Sequence, residues 1–195
     1  SGWEGLKVRI TAKADTEAQV EAVLASAGAQ VREIVGDIVF GVDDDTMESV
    51  LLQLLRDRGM TLGLAESLTG GLIASRITGT PGCSDVFRGA IVPYDREFKL
   101  KLLGAPDVAA VSEEMAIAMA VGVCQTLDAD CGIAVTGVAG PEPHEGHKPG
   151  TVWVAISIQG RTEAILLNMP FDRERVRQFT CIAALNLLRT RLLAG

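Results

Sequence analysis

The chain has 195 residues, 48% of them hydrophobic and 4% aromatic, with a formal net charge of −7. That length holds one medium domain, or one domain with a small appendage. The acidic balance argues against broad nucleic-acid binding through a basic surface, and the scarcity of aromatics against stacking platforms for single strands. No apolar run reaches membrane-spanning length and no signal-peptide pattern is visible, so neither a membrane nor an export route is expected and the cytoplasm is the expected location. The Ser1-Gly2 start reads as a tag remnant ahead of the C-terminal part of a longer protein. Cys83, Cys124, Cys131 and Cys181 show no C-x-x-C spacing and read as reduced, buried thiols.

Leu6 to Thr11 alternates and predicts a strand. Thr16 to Ala27 carries Val20, Val23 and Leu24 at helical spacing, with Asp15 as its cap and Gly28 as its stop. Val31 to Ile34 and Asp37 to Gly41 read as further strands, making residues 1–43 a small βαβ-like unit. Asp43-Asp44-Asp45-Thr46 opens a helix whose buried stripe is Met47, Val50, Leu51 and Leu54, and Asp45 with Glu48 matches a capping box. The acidic run reads as capping rather than a metal site, because no His or Cys stands near it.

From Thr61 onward strands and helices interleave. Thr61 to Ala65 predicts a buried strand, Leu72 to Thr78 a helix, Val86 to Val92 a strand and Arg96 to Leu103 a short helix. Ser112 caps a longer helix with Met115, Met119, Val123 and Leu127 on one face; Cys131 to Val135 is a strand running into Thr136-Gly137-Val138-Ala139-Gly140-Pro141. Val152 to Ile158 and Ala164 to Asn168 form a hairpin about Gly160, and Asp172 to Leu193 is a final amphipathic helix. The fold class is therefore α/β: a layered α-β-α domain with a mixed sheet over 44–195, preceded by the small α+β unit.

The most informative stretch is Glu66-Ser67-Leu68-Thr69-Gly70-Gly71, where a serine stands between an apolar strand and a helix. Early helix N–H groups and close-approach glycines could there hold a phosphate, or the oxyanion formed when Ser67 attacks a carbonyl. Ser is also a common N-cap, so the turn alone does not decide for chemistry. Ligands in open α/β sheets bind at strand ends, and Ser67, Tyr94 and Thr136 each follow or end a strand. Lys99 stands one turn into the helix after Tyr94, where a buried lysine could serve as base for a serine. The only histidines, His144 and His147, lie in a polar loop and offer no Ser-His-Asp arrangement.

The ordered set Ala65 to Gly71, Tyr94 to Lys99, Val111-Ser112-Glu113, Val135 to Pro141, Gly150-Thr151-Val152-Trp153 and Arg173 to Arg177 resembles the CinA C-terminal domain family, the nicotinamide-nucleotide amidohydrolases. Residues 1–43 resemble the KH-like segment that precedes this domain in long CinA proteins. The resemblance implies a Ser/Lys amidohydrolase converting nicotinamide mononucleotide to nicotinate mononucleotide and ammonia, in pyridine nucleotide salvage. It implies Ser67 as nucleophile, Lys99 as base, Tyr94 assisting proton transfer, and Thr69, Gly70, Gly71, Thr136, Gly137, Gly140, Thr151 and Arg177 around the substrate. No metal and no cofactor is implied; the partner is a small nucleotide, and a homodimer is expected. A lysine base must be neutral near working pH, which calls for desolvation or for a positive charge from Arg96, Arg173 or Arg177. The sequence departs from the family pattern at Leu68 (usually Cys), at Pro93 (usually small and polar), at Asp95-Arg96 (usually Ser-Asn) and in Glu142 to His147, where a glycine-rich run is usual. The alternative readings are a non-catalytic nucleotide-binding or regulatory module and, against the charge balance, RNA binding through the KH-like segment.

Overall fold

The computed structural model describes residues 5–195, and the chain divides into two compact units, one up to Met47 and one from Glu48. In the first unit a single helix, α1 (Glu17–Val35), dominates. Its cap is Thr16, not Asp15: the Thr16 hydroxyl accepts from the Gln19 N–H while the Gln19 side chain accepts from the Thr16 N–H. The helix does not stop at Gly28. A mid-helix glycine costs only about 1 kcal/mol, and the flanking Ala27, Ala29 and Gln30 are good helix formers. It ends instead at Gly36, whose φ of 60° helical residues do not adopt, and a 3₁₀ turn over Gly36–Ile38 follows.

The strands expected at Leu6–Thr11, Val31–Ile34 and Asp37–Gly41 do not form. Val31–Ile34 is absorbed into α1, and Leu6 to Ile10 finds no neighbouring strand among the described residues of its unit, without which an alternating segment has no ladder for its backbone groups. The Asp45 carboxylate accepts from the Val42 N–H at 2.9 Å, and Glu48 accepts from Arg76 of the second unit's own helix.

The second unit is a five-stranded mixed sheet in the order β2-β1-β3-β4-β5, with β1 (Leu62–Glu66), β2 (Phe87–Ile91), β3 (Cys131–Gly137), β4 (Thr151–Ile158) and β5 (Arg161–Asn168). β2, β1 and β3 run parallel, and β4 and β5 are antiparallel additions. Central β1 is buried along its whole length, as the apolar run Leu62 to Ala65 favours, with Glu66 buried at its end. The β4–β5 hairpin turns on Gln159 and Gly160 with φ of 48° and 85°, both positive, as a two-residue turn matched to strand twist demands.

Helices cover both faces. α4 (Arg96–Leu103) and α5 (Glu113–Leu127) lie on one, and α3 (Leu72–Thr78) and α6 (Arg173–Ala194) on the other. α2 (Met47–Asp57) is tied to the second group by Glu48 to Arg76 and by Arg58 donating to the Leu192 carbonyl. The α5 face is built of small residues and methionine: Ala116, Met119, Ala120 and Val123 against Ala65, Ala134 and Ala155. The packing is close enough that a Cβ on Gly132 of β3 would strike the Ala120 carbonyl. Among the described residues no helix is long and apolar enough to cross a membrane.

The parallel trio sets the site. β1 sits between β2 and β3, all three strands end on the same side, and Glu66 pairs with Val135 at that edge. The segments leaving them begin with Ser67, Val92 and Val138.

Candidate active site

The chain leaves β1 through a tight turn before α3 begins. The Ser67 N–H donates to the Val135 carbonyl at 3.1 Å, which keeps the serine at the sheet edge, and the Gly70 N–H donates back to the Ser67 carbonyl at 3.0 Å. Gly70 and Gly71 have φ of 61° and 93°, the left-handed region where a side chain would be strained. That geometry explains two successive glycines without reference to a ligand.

The start of α3 differs from the expectation of an open anion site. Glu66, fully buried, turns its carboxylate onto the helix: it accepts from the N–H of Gly71 at 3.0 Å, Ile73 at 3.1 Å and Ala74 at 2.8 Å. The Leu72 N–H goes to the Thr69 carbonyl at 3.3 Å. Every orphan donor of the first turn thus has a partner inside the protein, and the helix dipole is met by the protein's own anion. Neither a phosphate nor an oxyanion takes the Gly71 amide. The sequence signal for this was local: an acid at the end of a buried strand, five residues ahead of a helix start.

Ser67 meets Lys99 across the layers. Lys99 is at the fourth position of α4, which Asp95 caps by accepting from the Glu97 N–H at 2.8 Å. One turn into that helix, Lys99 faces inward and is only 3% exposed, and Ser67 is 7% exposed. Lys99 Nζ donates to Ser67 Oγ at 3.2 Å and to Thr136 Oγ1 at 3.4 Å. Thr136, at the end of β3, donates in turn to the Ala110 carbonyl at 2.6 Å, so its lone pairs are turned toward the lysine. Burial pushes the Lys99 ammonium below the ordinary lysine range, and the carboxylates of Glu145 and then Asp95 pull it part of the way back.

Desolvation is therefore what lowers Lys99, and the arginines proposed as helping charges have other partners. Arg96 donates to the Val108 carbonyl and pairs with Asp107. Arg173 donates to the Gly140 carbonyl at 2.7 Å and to the Tyr94 hydroxyl at 3.2 Å. Arg177 donates from Nε to the Leu68 carbonyl at 3.1 Å and from Nη2 to the Thr69 carbonyl at 2.6 Å. The charges that reach Lys99 are negative.

Of the candidate residues, Ser67, Lys99 and Thr136 form one contiguous hydrogen-bonded group. Tyr94 is 61% exposed and bonds Arg173, with no bond to Ser67 or Lys99, so it stands at the rim. Thr69 is fully buried, and its hydroxyl has no partner among the described residues. Gly140 meets Arg173, Gly137 closes β3 opposite Val152, and Thr151 spends its backbone groups on Val138 and Lys148. Glu145, which the sequence reading passed over, accepts from the Val111 N–H at 3.3 Å next to Ala110, and so brings the 142–149 loop to the site. His144 and His147 pair only their backbones with each other at that loop's turn. Among the described residues no three His, Cys, Asp or Glu side chains gather as a metal ion would require.

Such a group can do one kind of chemistry well. A serine hydroxyl held by a desolvated lysine, beside a polar strand end, is a nucleophile with its base.

Comparison with known proteins identifies the family and the fold. Residues 44–192 match the family model of the CinA C-terminal domain, and residues 2–41 that of the damage-inducible protein CinA KH domain. A CinA-like protein from Frankia casuarinae is 43% identical over 194 residues, which is 97% of this chain and 45% of the relative. One from Geotalea daltonii is 43% identical over 195 residues, 97% of this chain and 47% of the relative. The chain thus spans about half the length of the curated relatives it matches. The crystal structure of a competence-damaged protein (CinA) superfamily protein from Klebsiella pneumoniae superposes with a TM-score of 0.74 at 29% identity, over 76% of this chain and 97% of that one. The corresponding superfamily protein from Escherichia coli gives 0.70 at 32% identity, over 80% and 98%.

Proposed function

Given that the chain belongs to the CinA family, with a CinA C-terminal domain preceded by its KH-type segment, we propose that it is a Ser/Lys amidohydrolase that hydrolyses the carboxamide of nicotinamide mononucleotide to nicotinate mononucleotide and ammonia. The observation that carries this reading is the 3.2 Å contact between Lys99 Nζ and Ser67 Oγ, with both groups buried and the lysine lowered by burial. The neutral amine accepts the hydroxyl proton as Ser67 Oγ bonds to the carboxamide carbon, and the carbonyl electrons move onto oxygen. Collapse of that oxyanion expels the amide nitrogen, which takes the proton from Lys99 and leaves as ammonia. Water then adds to the Ser67 ester, again giving its proton to Lys99, and the acid is released with Ser67 restored. Thr136 holds Lys99 on target by accepting one of its N–H bonds. Tyr94 and Arg173 belong to the substrate-positioning rim rather than to the proton path. No metal enters this scheme, since Lys99 supplies the base.

The test is direct. The purified chain is incubated with nicotinamide mononucleotide, and ammonia is followed together with nicotinate mononucleotide, in equal amounts. Binding of the nucleotide with no ammonia release would sink the enzyme reading in favour of a non-catalytic nucleotide-binding module.

The charges around Lys99 give a second expectation. A lysine base works when neutral, so the rate rises with pH through the Lys99 pKa. Glu145 raises that pKa. Glu145→Gln removes the negative charge, so the acid limb of the kcat/KM profile is expected to move to lower pH, with the variant faster than wild type on that limb. A limb that stays in place, or moves up, would show that Glu145 does not act on Lys99.

A further inference from the structure

We propose that Arg177 is a positioning residue that holds the turn after the nucleophile so that the Leu68 amide is the donor to the oxyanion. The inference rests on the reading of Ser67 as nucleophile and assigns a part of the site that Ser67, Lys99 and Thr136 leave unfilled. An amide carbonyl attacked by Ser67 develops a negative oxygen, and that oxygen needs a fixed N–H. The amides at the start of α3 are occupied: Gly71, Ile73 and Ala74 donate to Glu66, and Leu72 to the Thr69 carbonyl. The Ser67 N–H goes to Val135 and the Gly70 N–H to the Ser67 carbonyl. Two amides of the turn remain, those of Leu68 and Thr69, and neither donates to a partner among the described residues. Thr69 is wholly enclosed, whereas Leu68 keeps 4% of its surface and directly follows the nucleophile. At a strand-to-helix turn that carries a nucleophile, the next residue's N–H is the one directed at the developing charge.

The direction of the Leu68 N–H is set from both sides. In a trans peptide the N–H and the C=O point opposite ways. The Gly70 N–H fixes the Ser67 carbonyl, and so aims the Leu68 N–H away from the turn interior. The following two carbonyls, of Leu68 and Thr69, are both taken by Arg177, through Nε at 3.1 Å and Nη2 at 2.6 Å. A planar guanidinium holds two acceptors in one fixed fork, which an ammonium cannot reproduce. Arg177 is itself anchored on α6 beside Val176, which is fully buried. Nε and Nη2 are thus committed to the protein's backbone, so Arg177 acts on the reaction through the turn and not as the cation that receives a nucleotide phosphate.

The experiment uses the full chain as wild type, Arg177→Lys and Arg177→Ala, with two activity readouts and a thermal melt. One readout is the rate at which a fluorophosphonate labels Ser67, followed by intact mass. In that step Oγ displaces fluoride from phosphorus, its proton goes to Lys99, and the phosphoryl oxygen occupies the oxyanion position. The other is kcat and KM for ammonia release from nicotinamide mononucleotide. Both variants are expected to label, and to turn over, roughly 100-fold more slowly, as loss of one oxyanion donor does. KM is expected to stay within about threefold, since ground-state binding is not what the turn supplies. Added methylguanidinium is expected to restore part of the Arg177→Ala labelling rate. Should Arg177→Ala not fold, Arg177→Lys carries the same test. A raised KM with unchanged kcat and labelling would overturn the proposal and make Arg177 a ligand-binding cation. Wild type that labels at Ser67 but releases no ammonia would overturn only the substrate, with the labelling rates still deciding for or against Arg177. Wild type that does not label at all would overturn the nucleophile and this inference with it.

Discussion

Ser67→Ala and Lys99→Met are each expected to lower kcat for ammonia release by roughly 10⁴-fold or more, and the double variant to be little worse than either alone. The reason is the single 3.2 Å contact between them. The hydroxyl is a weak nucleophile until its proton is taken, and Lys99 is the group that takes it, so removing either group removes the same step. Neither change should unfold the protein. Ser67→Ala deletes one oxygen that makes one side-chain bond, and Lys99→Met replaces a desolvated lysine by an apolar chain of similar length in a site that already disfavours the charge. Lys99→Met is therefore expected to melt at or above the wild-type temperature while being inactive. Two independent losses that multiply in the double variant would show that Lys99 is not the base of Ser67. Lys99→Met retaining activity while His144→Ala or His147→Ala loses it would move the base to the 142–149 loop.

Much of this site was legible before the fold was known, because it is built from short local patterns. A four-residue apolar run, Leu62 to Ala65, followed by Glu66-Ser67 and then by Gly70-Gly71, reads as a buried strand turning sharply into a helix, and β1, Ser67 and α3 lie where that pattern puts them. The Tyr94-to-Lys99 spacing likewise put Lys99 one turn into α4. What the sequence could not reveal are choices made between groups far apart in the chain. Arg173, Arg177 and Arg96 look like free cations in sequence, yet each is drawn to backbone carbonyls, Arg177 to ones 108 and 109 positions away. Of the two causes expected for a lowered Lys99, desolvation or a nearby positive charge, burial is the one present, and the charges that reach it, Glu145 and Asp95, are negative. Tyr94 shows the same limit in another way: it lies three residues beyond the end of β2, and its side chain is exposed with Arg173 as partner. In the first unit the alternation of Leu6, Val8 and Ile10 is a real local signal that only a neighbouring strand could turn into a sheet, while α1 makes its backbone bonds within itself and runs on through Gly28.

Glu66→Ala is expected to be the most destabilising single change at the site, though Glu66 touches no part of the proposed substrate. Its carboxylate, itself fully buried, supplies the acceptors for three N–H groups at the start of α3, at 2.8–3.1 Å, the Ile73 bond buried and the Gly71 and Ala74 bonds partly so. Truncation leaves the Ile73 donor buried without an acceptor, and the Gly71 and Ala74 donors partly buried without one. Each buried donor left without its acceptor costs about 1–3 kcal/mol, and the three together about 3–5 kcal/mol, since two are only partly buried; for a chain of this size that lowers the melting temperature by roughly 10 °C or more. Glu66→Gln keeps the shape and one acceptor oxygen but loses the charge that the helix N-terminus favours, so its loss should be intermediate, about 1–3 kcal/mol. The same carboxylate fixes where the turn from Ser67 to Gly71 meets the helix. Both variants should therefore lose turnover in step with stability, and the nucleotide's KM should change little in Glu66→Gln. A thermal melt of the full chain decides it: Glu66→Ala melting within a degree or two of wild type would mean that the α3 amides find other partners, and that the helix start is not held closed by Glu66.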